Sequence, residues 1–255
     1  MSSWRGGWPD FISTNGSHKS SETGERAAVR CTVTIARGWS SRGETTTARH
    51  MVRSEMIPSA LLDRVTRGEA VVYPTSTQPA LGCAPEGGAL DRLFELKQRR
   101  SDARVSLAVA DLDQAEELVH VPEGVTALLA SFPAGSLTLV LPAHHTLDVR
   151  LGGDSVAVRV VAHPVAHALL SETGPLTATS ANISGTPPHA DCGDAASALG
   201  LPPEAALVGH CPGSTPSTFI RLDDSAPLTH AEQLEVLREG VIPTAEVMSW
   251  STSRT

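Results

Sequence analysis

Four cationic side chains fall within eight positions of the stretch ELKQRRSDAR (95–104): Lys97, Arg99, Arg100 and Arg104, in a chain of formal net charge −8. Lys97 is one of two lysines in 255 residues, the other being Lys19. A helix C-terminus accommodates one or two cations for its dipole, worth about 0.3–1 kcal/mol each, which does not account for four. An ammonium is a compact point charge and a guanidinium forks over two oxygens. Lys97 and Arg99, two apart, therefore suit a polyphosphate. Two further stretches offer small polar groups beside strands. YPTSTQPALGC (73–83) runs a strand into Pro74, three hydroxyl residues and a small-residue turn, and TATSANISGTPP (177–188) sets Ser180, Asn182 and Ser184 after an apolar strand. Open α/β sheets bind ligands at such strand ends, although each stretch alone reads equally well as an ordinary turn. No Gly-Lys-Ser or Gly-Lys-Thr phosphate loop is present, and no Gly-x-Gly-x-x-Gly follows the strand. His189, Cys192, His210 and Cys211 would make a metal cluster only if two unrelated loops converged with tetrahedral geometry, so no metal site is expected.

The elements that must position these groups follow from periodicity. MIPSALLDRVTRG places Ile57, Leu61, Leu62 and Val65 on one helical face, with Pro58 early and Gly68 as the stop. AVVYPT is a short buried strand. GALDRLFELKQRR predicts a helix through Leu90, Leu93, Phe94 and Lys97, VSLAVA a strand, and DLDQAEEL a helix capped by its first Asp with Gln114 three residues on. GVTALLASF is helical, LTLVL (137–141) and SVAVRV (155–160) are strands, and a helix from Pro164 stops at Gly174-Pro175. THAEQLEVLREG predicts a last helix, with Thr229 and Glu232 as a capping box and Gly240 as terminator. The class is α/β, a twisted mixed sheet with flanking helices in a single domain.

Composition divides the chain. Residues 1–55 carry eight Lys or Arg against five Asp or Glu, leaving twelve against twenty-three for the rest. Segments such as STNGSHKSSETGERAA lack apolar periodicity, and only CTVTIA (31–36) could form a strand there. Residues 1–55 are expected to be a disordered extension, of the kind a mis-assigned translation start produces. Residues 56–245 form the domain, and 246–255 are expected to be a flexible tail. An acidic domain argues against broad binding to a nucleic-acid backbone but leaves room for a small basic pocket. The four cysteines show no Cys-x-x-Cys pairing, no apolar run approaches the ~20 residues that span a bilayer, and no signal peptide is readable. A cytoplasmic protein with no membrane association is the expectation.

Taken in order, these stretches resemble the YrdC-like family of threonylcarbamoyl-AMP synthases, in its short form. That family carries Pro-Thr-(Asp/Glu)-Thr, Lys-x-Arg, a Leu-Thr-Leu-Val-Leu strand, a Val-x-Val-Arg strand, Ser-x-Asn and a late Leu-Arg-x-Gly. Here they stand as Pro74 to Thr77, Lys97-Gln98-Arg99, Leu137 to Leu141, Val156 to Arg159, Ser180-Ala181-Asn182 and Leu237 to Gly240, over residues 57–243. The resemblance implies a nucleotidyltransferase that condenses L-threonine, bicarbonate and ATP, accompanied by Mg²⁺, to threonylcarbamoyl-adenylate and pyrophosphate. The product would pass to a separate tRNA threonylcarbamoyl transferase as partner. By the same resemblance Lys97 and Arg99 would be catalytic and would hold the triphosphate, with Thr138, Asn182 and Arg238 on the nucleotide. Thr75, Thr77, Ser180 and Ser217 would bind threonine. The chain departs from the pattern at Ser76, at Pro79-Ala80 in place of Tyr-Gly, at Arg100, at Arg104-Val105 in place of Pro-Leu, and at Pro188. These departures bear on amino-acid specificity more than on nucleotide binding. They leave as the alternative a diverged paralogue that binds RNA or nucleotide without synthase activity.

Overall fold

A computed structural model describes residues 57–213, 215–222, 228 and 234–252. The elements in chain order are α1 (Ser59–Thr66), β1 (Val71–Tyr73), β2 (Ala80–Gly82), α2 (Gly87–Leu96), β3 (Ser106–Val109), α3 (Leu112–Glu116), α4 (Val125–Ala130), β4 (Leu137–Pro142), β5 (Ser155–Val160), α5 (Pro164–Thr173), β6 (Leu176–Ser180), α6 (Cys192–Ala198), a 3₁₀ turn (Pro203–Ala205), β7 (Thr218–Leu222), β8 (Leu234–Arg238) and α7 (Thr244–Thr252). The eight strands form one mixed sheet in the order β1-β2-β6-β3-β5-β4-β7-β8, with β3–β5 and β4–β7 parallel and the other neighbours antiparallel.

Paired residues share a face of a sheet and alternate residues return to it, so the register sorts the side chains. Leu81, Leu107, Leu139, Leu141, Val156, Val158 and Ile220 fall on one face and pack on Leu90, Leu93 and Phe94 of α2, Ala115 of α3 and Leu128 of α4. Each fully buried leucine there contributes about 1.5–3 kcal/mol. On the opposite face, Ala80 is opposite Ser180, Ser106 opposite Ala178, Ala108 opposite Arg159, Val140 opposite Ala157, and Thr138 opposite Phe219. Helices α1 and α5 cover one end of this second face, through Leu61, Val65, Leu169 and Leu170 against Val71, Tyr73 and Ala108. The rest of it is left to small and polar side chains, and the site lies there.

Three sequence expectations are corrected. The turn expected over 79–83 contains strand β2, because Ala80–Gly82 bridges β1 and β6, and Gly82 admits the Tyr73 ring where a Cβ would sit at 2.7 Å. The last helix is instead strand β8, paired antiparallel with β7. Glu, Leu and Arg favour helix intrinsically, but the exposed edge of β7 offers unpaired backbone groups, and this tertiary context wins. The capping-box pair Thr229 and Glu232 lies outside the described residues. The flexible tail expected from 246 is helical through Thr252, with Val247 buried and Trp250 Nε1 donating to Ser131 Oγ at 2.8 Å. Val247→Asp is accordingly expected to destabilise the domain by about 2–4 kcal/mol. Urea denaturation checks this, since an unpacked tail would give no change. The expected extension, residues 1–55, and the CTVTIA strand fall outside the described residues, as do 253–255. Among the described residues no helix is long and apolar enough to cross a membrane.

Candidate active site

An open cleft runs across the uncovered sheet face. Thr77 to Ala80 and the end of β6 form one wall, Ser217, Phe219 and Arg238 the other, and Arg99, Arg104 and Arg159 complete the lining. The described lining residues thus include four arginines and no Asp or Glu.

Arg159 sits mid-sheet on β5 and is 8% exposed. Its Nε donates to Gly135 O at 2.9 Å, and its Nη2 to Ser76 Oγ and Thr77 Oγ1, each at 3.0 Å. All three acceptors are neutral, and burial brings the guanidinium down to about 10. Gly135 makes the first contact possible: it has φ of 71°, and a Cβ there would stand 2.6 Å from Ser76 Oγ. A buried cation held only by neutral groups leaves the balancing charge to a ligand.

Arg238 reaches the same face through a β-bulge. Val236 pairs with Ile220 on the core side, and the register shift between Phe219 and Ile220 turns Arg238, two residues on, to the cleft side opposite Phe219. There it lies 4.2 Å over the Phe219 ring and donates to Ser217 O at 2.9 Å. Burial and then the charge of Arg99 lower it to about 10. The Nε groups of both Arg99 and Arg238 are buried without a hydrogen-bond partner.

The Lys-Gln-Arg spacing has a conformational cause. Helix α2 ends in a Schellman cap, with Gln98 N donating to Glu95 O and Arg99 N to Phe94 O, both at 2.9 Å. Gln98 occupies the left-handed position, φ 50°, where glycine is preferred. The turn sends its neighbours to different places. Arg99 enters the cleft, where Nη2 donates to Arg104 O at 2.6 Å and Nη1 to Thr179 Oγ1 at 3.4 Å. Lys97 goes inward: it is 1% exposed, is not part of the cleft lining, and donates through Nζ to Asn182 O at 2.6 Å and to Ser180 O. Its own carbonyl accepts from Ser184 N at 3.0 Å. Gln98→Gly is expected to raise stability by up to about 1 kcal/mol by relieving the left-handed strain. A fall in the urea midpoint would contradict that reading of the cap.

Burial, and secondarily the charge of Arg99, lower the Lys97 amine to about 7. In the unfolded chain the amine titrates near 10.4, so between these values the unfolded state binds more protons and stability rises with pH. The penalty for burying the ammonium is fully present below about 7. Stability of the wild type relative to Lys97→Met should therefore increase from about pH 7 to 10. A pH-independent difference in thermal midpoint would count against a depressed Lys97.

Of the residues singled out from the sequence, Arg99, Arg238, Thr77, Ser180 and Ser217 line the cleft. Thr138 is fully buried behind it and meets Ser217 Oγ at 2.7 Å. Thr75 is turned into its own loop, where Oγ1 donates to Gln78 O at 2.7 Å and accepts from Thr77 N at 3.1 Å. Asn182 holds the following turn, donating to Ile183 O and Thr186 O, while its Oδ1 is buried without a partner. Sequence reasoning gave no individual role to Arg159, named only as the end of the Val-x-Val-Arg strand, to Arg104, named only among the clustered cations, or to Phe219. The signal for Arg159 was a lone charge in the apolar strand SVAVRV.

The geometry defines an α/β protein with an arginine-lined cleft on one sheet face. The family model Sua5_yciO_yrdC, described as telomere recombination, matches residues 63–240, and the chain belongs to that family. A threonylcarbamoyl-AMP synthase of Vibrio parahaemolyticus is 31% identical over 188 residues, covering 71% of this chain and 97% of the relative. Another from Xanthomonas campestris is 34% identical over 188 residues, covering 71% and 96%. Among solved structures, P. abyssi Sua5 complexed with L-threonine superposes with TM-score 0.64 at 30% identity, covering 77% of this chain. The match spans 57% of that Sua5 chain. E. coli YciO superposes with TM-score 0.59 at 25% identity, covering 76% of this chain and 91% of YciO.

Proposed function

We propose that this chain is a threonylcarbamoyl-AMP synthase, a nucleotidyltransferase that joins L-threonine, bicarbonate and ATP into threonylcarbamoyl-adenylate and releases pyrophosphate. The product serves the threonylcarbamoyladenosine modification of tRNA through a separate transferase. The observation that carries this reading is the cleft of four arginines without a carboxylate, on a fold shared with relatives that bear this name.

Arg99 and Arg238 hold the triphosphate, and their guanidinium groups in the cleft lining meet the charge that grows as pyrophosphate leaves. Arg159 with Thr77 takes the smaller anion, the bicarbonate or the amino-acid carboxylate. Ser180 and Ser217 lie across the cleft from one another as hydrogen-bonding groups for threonine. Lys97, Thr138 and Asn182 act from behind, Lys97 by fixing the carbonyls of Ser180 and Asn182 and Thr138 by holding the Ser217 hydroxyl. No described group of three His, Cys, Asp or Glu could hold a metal. Mg²⁺ would enter with the ATP phosphates, with its usual oxygen ligands, and would neutralise phosphate charge there. Orientation of three substrates by fixed donors is the main source of rate in such a site.

Incubation with ATP, Mg²⁺, L-threonine and isotopically labelled bicarbonate should yield threonylcarbamoyl-adenylate bearing the label, detected by mass spectrometry. ATP binding with no labelled adduct would reject the synthase and favour a nucleotide-binding paralogue.

A further inference from the structure

The four cations clustered at 97–104 part company in the fold. Lys97 is buried behind the cleft wall, on the Ser180 and Asn182 carbonyls. Arg100 turns to the surface and pairs with Asp102 at 2.6 Å, both side chains being exposed. Arg99 and Arg104 line the cleft. Arg104 precedes β3, and the alternation Arg104, Ser106, Ala108 keeps it on the cleft face while Val105 and Leu107 pack into the core. It is also a departure of this chain from the Pro-Leu of its family's pattern. Beyond the Ser106–Ala178 pair the β3–β6 ladder stops. There the Arg99 guanidinium spans the two chains, with Nη2 donating to Arg104 O at 2.6 Å and Nη1 to Thr179 Oγ1 at 3.4 Å. Arg159 lies at the other end of the cleft. It pairs with Ala108 near the end of β3, and its head is held by Gly135 O, beside Ala162 past the end of β5. Since β3 and β5 run parallel, cationic groups stand at both ends of the cleft along the strand direction.

We propose that Arg104, beside Arg99, forms a pyrophosphate subsite in this chain, the seat of the two terminal phosphates of ATP and of the leaving group. The assignment rests on the adenylate-forming reading above. In that reaction a carboxylate oxygen of N-carboxythreonine attacks the α-phosphorus, the bond to the oxygen bridging the α- and β-phosphates breaks, and pyrophosphate leaves with that electron pair. The entering and leaving oxygens stand on opposite sides of the phosphorus. With the small anion at Arg159, the leaving group falls at the opposite end, on Arg99 and Arg104. Two neighbouring guanidiniums fork over the oxygens of two adjacent phosphates, which neither could cover alone. Arg104 thereby reads the length of the phosphate chain and separates a triphosphate from a monophosphate.

Calorimetric titration of the full chain with inorganic pyrophosphate, ATP and AMP, all at one ionic strength, tests the subsite without recourse to turnover. Arg104→Gln removes the charge and leaves the Arg104 carbonyl that Arg99 uses. It is expected to weaken pyrophosphate and ATP by about tenfold or more while AMP changes by less than about twofold. Retained AMP binding also reports a folded cleft. Arg100→Gln makes the same change of charge at the surface and should match wild type with all three ligands. Unchanged pyrophosphate affinity in Arg104→Gln, or no pyrophosphate binding by wild type, would overturn the subsite. So would an equal loss for AMP, which would make the effect one of folding, or an equal loss in Arg100→Gln, which would make it one of overall charge. A wild type that binds pyrophosphate through Arg104 but does not bind ATP would keep the subsite and reject the synthase reading.

Discussion

Replacing Arg159 with methionine is expected to cut threonine-dependent pyrophosphate release by about 100-fold or more while leaving the domain as stable as before. The two halves of this expectation have one cause. The guanidinium is buried against Gly135 O, Ser76 Oγ and Thr77 Oγ1, all neutral, so the protein bears the cost of desolvating a cation that only a ligand balances. Methionine keeps the apolar stem and removes the uncompensated charge, a gain that offsets the cost of leaving Gly135 O, Ser76 Oγ and Thr77 Oγ1 without this donor. Steady-state pyrophosphate assays and urea denaturation on the same preparation check both halves. Full activity would remove Arg159 from the site, and a loss above about 3 kcal/mol would make it a structural residue instead.

Lys97→Ala should lose both stability and activity. The side chain is 1% exposed and its amine is committed to the carbonyls of Ser180 and Asn182. Truncation leaves a cavity and two acceptors without a donor, together costing about 2–4 kcal/mol. Ser180 would no longer be fixed in the cleft wall, and turnover should fall by about 100-fold. Hydrogen exchange over 180–186 should rise in the variant. A Lys97→Ala protein with wild-type stability and protected 180–186 amides but no activity would instead place Lys97 on the substrate.

Much of the fold was legible because the strands Val71–Tyr73, Leu137–Pro142 and Ser155–Val160 are apolar runs, and the helices carry clear apolar stripes and stops. The failures are local and physical. β8 is written in helix-forming residues and becomes a strand only because β7 presents an edge to it. β2 is three residues long and made of Ala, Leu and Gly, so no periodicity could announce it. At the site, motif spacing located the loops but not the direction of each side chain. Gln98 in its left-handed cap sends Lys97 and Arg99 apart, and the bulge at Phe219/Ile220 aims Arg238. Neither device has a signature in composition. Hydroxyls and amides serve turns and ligands alike, and the Thr75 and Asn182 side chains bond within their own turns.

Pyrophosphate release by the purified chain, given ATP, Mg²⁺, bicarbonate and L-threonine and then with each of the last two omitted in turn, tests the central claim most directly. Release that requires both threonine and bicarbonate is the predicted result. Release indifferent to threonine, or none despite bound ATP, would contradict it.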